Sequence, residues 1–256
     1  MKKTMMVSSL VVASLAMVSC GSHYVMSDIS RSRIVIDKRY DGSPDAAAMN
    51  YLAPFSHEVD SMMSPVVGRV ARYMMSRRPE SALSNLLCDV LVSAGKAYNE
   101  QPAFGVYNMG GIRAALAEGD VRVGDVLNVA PFENKICFLT LSGDKVMELF
   151  RQIAMRGGEG VSRGVELEIT NDGRLVKAMV HGRPIDVSQS YRVVTLDYLA
   201  QGNDQLTAFK GGTDVNSPKD KDSNVRDLIV RYFREATAKG EVVDREVEGR
   251  IKIVEQ

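Results

Sequence analysis

The stretch NMGGIRAALAEGDVRVGDVLNVAPF, residues 108–132, constrains this 256-residue chain more than any other. Before it, residues 103–107 (AFGVY) form an apolar run of strand length. Asn108, Gly110 and Gly111 then supply side chains that tolerate positive φ and close backbone approach. That order ends a buried strand in a glycine turn and presents Arg113. A planar, permanently charged guanidinium after a turn of bare N–H groups makes an anion cradle. The same residues also serve as a structural turn that carries a surface Arg.

Residues 1–20 are read as a targeting leader and not as part of the fold. Lys2 and Lys3 precede an apolar run too short to span a bilayer comfortably, and small residues lead into a cysteine. Met17-Val18-Ser19-Cys20 resembles a bacterial lipobox. The resemblance implies that Cys20 becomes the acylated N-terminus of a lipoprotein, lipid-anchored to a membrane of the bacterial cell envelope. An ordinary secretory signal is the alternative. The full chain has 32 Lys and Arg against 32 Asp and Glu, so loss of Lys2 and Lys3 leaves a net charge of −2. Near-neutrality without a basic tract argues against nucleic-acid polymers as partners. Cys88 and Cys137 sit in the apolar runs NLLCDVL and KICFLTL and read as buried thiols, with pairing left open.

Residues 21–43 form a tether with one edge strand expected at 33–37, and residues 44–256 form the folded domain. Ser43-Pro44-Asp45 opens a helix to about residue 62, with Ser43 as its cap. A strand is expected over 66–73. Pro79-Glu80 opens a second helix through 94, whose Leu83, Leu86, Leu87, Val90 and Leu91 make a core stripe. A strand follows at 135–141, then a helix capped by Ser142 and stopped by Gly157-Gly158. Residues 165–180 read as a hairpin turning at Asn171-Asp172-Gly173. Another strand covers 191–196, a polar loop 210–222, a helix capped by Asn224 comes next, and a closing strand spans 250–254. Strands and helices mix without regular alternation, so the fold class is α+β, a mixed β-sheet with packed helices.

NMGGIR, GDVLNVAPFENK, LSGDKVMELF and YRVVTLDYLAQGND stand in this order, and together they resemble the C-terminal domain of the 5'-nucleotidase and UDP-sugar hydrolase family. The resemblance covers residues 45–256. It implies a domain that holds the nucleotide while a separate metallophosphoesterase domain hydrolyses it. Carried over by motif position, Arg113 pairs with phosphate, Asp204 accepts hydrogen bonds from ribose hydroxyls, and Phe132 and Tyr198 flank the base. Asn108 contacts the base, and Gly110 and Gly111 shape the turn. Met109 stands where the family has glycine, and Gly202-Asn203-Asp204-Gln205 stands for its GGDG turn. A further family arginine lies near Pro79-Glu80, and no role is transferred to Arg78.

A dimetal phosphoesterase needs clustered His, Asp and Asn ligands. This chain has only His23, His57 and His181, with no His-x-His, Asp-x-His or Gly-Asn-His spacing. No cofactor is therefore expected in the chain, divalent metals are expected only in a separate catalytic partner, and the chain alone is not expected to be catalytic. The expected function is nucleotide recognition in nucleotide catabolism, beside a separately encoded metallophosphoesterase subunit. A stand-alone nucleotide- or nucleoside-binding lipoprotein and a degenerate protein-interaction domain stay open.

Overall fold

The computed structural model describes residues 25–255, so the leader, Cys20 and His23 lie outside the described residues. The chain divides between Tyr51 and Leu52 into two compact units. In the first, the described residues have no regular structure before a 3-10 turn at Lys38–Tyr40, where Asp37 accepts the Arg39 N–H at 3.0 Å. The edge strand expected at 33–37 is absent. Those residues are exposed and pair with no other strand, and an isolated strand does not hold its shape in water. Helix α1 (Ala46–Met63) starts at the end of this unit. Its cap is Asp45, whose Oδ1 accepts the N–H groups of Ala47 and Ala48 at 2.8 and 3.0 Å, and not Ser43 as expected.

The second unit runs, after the remainder of α1, through β1 (Val66–Val70), α2 (Ala82–Ala94), β2 (Phe104–Tyr107), β3 (Gly119–Arg122) and α3 (Val123–Val129). Next come β4 (Ile136–Ser142), α4 (Gly143–Met155), β5 (Gly160–Val161), β6 (Val165–Ile169), β7 (Leu175–Val180) and β8 (Arg183–Pro184). The chain ends with β9 (Ser190–Leu196), α5 (Asp197–Ala200), β10 (Thr213–Asn216), α6 (Val225–Ala238) and β11 (Ile251–Ile253). Helix α2 begins later than Pro79-Glu80 suggested. Ser81 and Ser84 exchange side-chain to backbone hydrogen bonds in a capping box, which fixes the first turn there.

The strands form a pair β1-β3, a five-stranded sheet in the order β10-β4-β9-β2-β5, and a four-stranded sheet β11-β6-β7-β8. The five-stranded sheet is mixed. β9 runs antiparallel to β4 from Ile136↔Leu196 to Ser142↔Ser190 and parallel to β2 at Phe104↔Val193. Helices α2 and α4 bury their apolar stripes on it, and the rings of Phe104 and Phe150 meet with centroids 5.3 Å apart. Each such buried side chain contributes about 1.5–3 kcal/mol. The fold is thus α+β with mixed sheets and packed helices. Part of the expected polar loop at 210–222 is instead β10, the outermost strand, which pairs antiparallel with β4 at Thr213↔Thr140. Arg192 helps to hold it there by donating from Nη1 to the Asp214 carbonyl at 2.6 Å.

Topology decides where loops meet. Parallel neighbours β2 and β9 end at the same edge of the sheet, and antiparallel β4 begins there. The residues after Tyr107, before Ile136 and after Leu196 therefore share that edge.

Candidate functional site

At this edge the chain leaves β2 through Asn108 into a 3-10 turn, Met109–Gly111. The turn closes with the Gly111 N–H donating to the Asn108 carbonyl at 3.0 Å, and Arg113 N–H then donates to the Val129 carbonyl at 2.9 Å. A Cβ at Gly111 would stand 2.7 Å from Asn108 Oδ1, so a larger residue there would displace the Asn108 amide. That amide is nearly buried. Its Nδ2 donates to Asp204 Oδ2 at 2.6 Å, while its Oδ1 has no partner.

The second loop carries Phe132 and Asn134. Arg226 of α6 secures it, donating to the carbonyls of Ala130 and Pro131 at 3.2 and 3.1 Å. Asp197 joins it to the third loop. Its Oδ1 accepts the N–H groups of Lys135 and Tyr198, each at 2.9 Å, and the Asp197 N–H donates to the Lys135 carbonyl at 2.8 Å. Tyr198 OH donates to Asp204 Oδ1 at 3.1 Å, a bond that raises the phenol above its ordinary range, with burial adding to it. Asp204 holds this position with φ at +53°, which an Asp adopts more readily than most residues.

Asn108, Gly110, Gly111, Phe132, Asn134, Tyr198 and Asp204 line one cavity of about 220 Å³. Phe132 is 49% and Tyr198 38% exposed, so neither ring is a core residue. Six of the seven expected positions come together here from three loops, the first and last of them joined by the Asn108–Asp204 bond across 96 residues of chain. Arg113 stands beside the cavity and not in its lining. It is exposed, and its Nη1 donates to the Gly110 carbonyl at 3.3 Å.

Sequence reasoning missed three contributors. Asn134 lines the cavity, and its position two residues after Phe132 in PFEN was the available signal. Glu159, fully buried, accepts the Met109 N–H at 2.5 Å and pairs with Arg156 at 2.6 Å and with Arg78. Arg156 also brings Nη2 to 3.9 Å from Asp204 Oδ2. The only sequence cue to this cluster was one acid set among glycines in Gly-Gly-Glu-Gly.

A larger groove of about 470 Å³ between α2 and α6 is lined by Val90, Ala94, Leu228, Tyr232 and the charged Lys96, Arg231, Glu235 and Lys239, among others. It offers mixed charge and no pair of exposed rings. Among the described residues, no group of three or more His, Cys, Asp or Glu is placed to hold a metal ion. Cys88 and Cys137 are free buried thiols, both pushed up by burial. Among the described residues no helix is long and apolar enough to cross a membrane.

The family described as 5'-nucleotidase, C-terminal domain, matches residues 66–211. The chain is 26% identical over 251 residues to the trifunctional nucleotide phosphoesterase protein YfkN of Bacillus subtilis (strain 168), covering 90% of this chain and 16% of that protein. It is 25% identical over 160 residues to protein UshA of Escherichia coli (strain K12), covering 61% and 29%. The 5'-nucleotidase precursor of Thermus thermophilus shares the fold, with a TM-score of 0.69 at 24% identity over 82% of this chain and 43% of that one. The NAD nucleotidase of Haemophilus influenzae shares it with a TM-score of 0.58 at 21% identity, covering 82% and 41%. The chain spans less than a third of the length of the curated relatives it matches.

Proposed function

Because the chain belongs to the 5'-nucleotidase C-terminal domain family, we propose that it binds nucleotides and nucleosides in the Phe132–Tyr198 cavity, as the substrate-recognition part of a 5'-nucleotidase-type phosphohydrolase. One observation carries this reading. Two half-exposed aromatic rings and an aspartate from separate loops line one cavity at the edge of the sheet.

Each part of a nucleotide has a complementary group. Base stacking on an aromatic ring contributes about 1–3 kcal/mol, with little dependence on which base it is. A carboxylate offers about four acceptor positions. Asp204 spends one on Asn108 and one on Tyr198, which leaves room for a ribose diol. The cavity is smaller than the roughly 300–1,000 Å³ of drug-sized pockets, so it suits the base, with sugar and phosphate at its mouth. Arg113 is exposed at that mouth and exchanges its 3.3 Å bond to Gly110 for a phosphate oxygen.

The hydrolytic step, with its divalent metals, belongs in this reading to a separately encoded metallophosphoesterase. Support for this comes from the sequence, whose three histidines lack the spacing of a two-metal site. Acylation at Cys20 would hold both proteins at the bacterial cell envelope. Co-purification of such an enzyme from the native membrane tests the partnership.

Calorimetry tests the binding. AMP is expected to bind more tightly than adenosine, and the difference should vanish in Arg113→Ala, since a charge-assisted contact is worth about 1.5–3 kcal/mol. Phe132→Ala and Tyr198→Ala should weaken both ligands alike. No heat from millimolar AMP with the folded wild type overturns the reading.

A further inference from the structure

We propose that a second cavity, between β4, α5 and β10, binds a small aliphatic α-amino acid whose ammonium group pairs with Asp197 and whose carboxylate pairs with Lys219. The inference stands apart from the nucleotide-binding reading, because the two cavities share no lining residue.

The cavity holds about 200 Å³ and lies where β10 runs along β4. Leu139 of β4, Ala200 of α5, Phe209 of the 3-10 turn Thr207–Gly211 and Val215 of β10 give it apolar walls. Leu139 and Phe209 are each 1% exposed, so the core fixes their positions. A space below the roughly 300–1,000 Å³ of drug-sized pockets suits a molecule of amino-acid size.

Two opposite charges line this cavity, and neither answers the other. Asp197 spends Oδ1 on the N–H groups of Lys135 and Tyr198, each at 2.9 Å, and among the described residues its Oδ2 has no partner. Lys219 donates to the Ser217 hydroxyl at 3.2 Å and has no carboxylate partner among the described residues. A carboxylate offers about four acceptor positions and an ammonium group three donors, so both have capacity left for a ligand. A zwitterion answers both charges and adds no net charge, while its aliphatic side chain lies against the apolar walls. Other ligand classes fit poorly. A metal ion would find only Asp197 and Cys137 as ligands, a phosphoryl group would meet the Asp197 carboxylate, and a flat base would find no exposed ring.

Calorimetry tests this with L-leucine, with isoamylamine, which is leucine without its carboxylate, and with 4-methylpentanoate, which is leucine without its ammonium group. Wild type should bind leucine at submillimolar concentration and each truncated ligand about tenfold more weakly, the scale of one charge-assisted contact. Lys219→Gln should lose about tenfold for leucine and nothing for isoamylamine, because that ligand never made the contact. Asp197→Asn can keep the Lys135 and Tyr198 bonds through its amide oxygen, and it should lose leucine but not 4-methylpentanoate in the same way. A purely structural defect weakens all three ligands together. If Asp197→Asn does not fold, Lys219→Gln still decides, since Lys219 is exposed. AMP should not compete with leucine. No heat from millimolar leucine with the folded wild type, losses that add where they should coincide, or competition by AMP overturns the inference and leaves the nucleotide-binding reading untouched.

Discussion

Replacing Asp204 by Ala and by Asn separates what its carboxylate does for the fold from what it does for a ligand. Asn108 is 5% exposed, its Oδ1 is already unpartnered, and its Nδ2 depends on Asp204 Oδ2 at 2.6 Å. A hydrogen bond to a charged acceptor is worth about 1.5–3 kcal/mol, and losing it leaves the whole amide buried and unpaired. The exposed Tyr198 bond adds about 0.5 kcal/mol, and φ at +53° is less comfortable for Ala than for Asp. Asp204→Ala should therefore cost about 2–4 kcal/mol in urea unfolding. In Asp204→Asn the amide oxygen keeps the Asn108 bond, and its NH₂ turns to the Tyr198 oxygen, so the cost falls to about 1 kcal/mol. Adenosine should nonetheless bind about tenfold more weakly to Asp204→Asn, because the variant has lost acceptors for the diol. Unfolding of Asp204→Ala within about 0.5 kcal/mol of wild type would refute the account of the Asn108 bond. Unchanged adenosine binding to Asp204→Asn would refute the role of Asp204 in the diol contact.

Three further outcomes are expected. Glu100 is held below its ordinary range chiefly by its bond to Arg192, with Asn216 assisting, while burial acts in the opposite sense. A lowered carboxyl stabilises the fold above its unfolded value, near 4.5, and that contribution is lost as pH falls through the folded value. The stability gap between wild type and Glu100→Gln, about 1–3 kcal/mol at neutral pH, should therefore close on acidification in pH-resolved urea melts, and a pH-independent gap contradicts this. Gly158 has φ at +105°, and a Cβ there would strike the Pro79 backbone, so Gly158→Ala should lose more than about 3 kcal/mol. A thermal midpoint within about 2 °C of wild type argues against that packing. Cys20→Ala should release the protein from the membrane fraction or stall its processing, and unchanged fractionation with normal processing removes the lipoprotein reading.

Where the sequence carried a local signal, the fold was legible. The α2 stripe, the Ser142 and Asn224 caps and the turn at Gly173 all act over a few residues, and each appears as expected. The errors have tertiary causes. Residues 33–37 carry the β-branched run Ile34-Val35-Ile36 but have no partner strand, whereas β10 lacks a strand pattern and exists because β4 offers it an edge. The short β3 and α3 inside the central stretch were passed over, because its glycines and small residues blur both periodicities. At the site, motif order marked positions that the structure then gathers into one cavity, since the topology brings three loops to one edge. Glu159 escaped notice because its value lies in partners eighty-one and fifty residues away, Arg78 and Met109, which no local pattern announces.

The most direct test of nucleotide recognition is a crystal structure of the chain grown with saturating AMP. The account predicts a base lying against the rings of Phe132 and Tyr198, ribose hydroxyls donating to Asp204, and phosphate at Arg113. A cavity that stays empty at millimolar AMP, or AMP bound elsewhere on the domain, would contradict it.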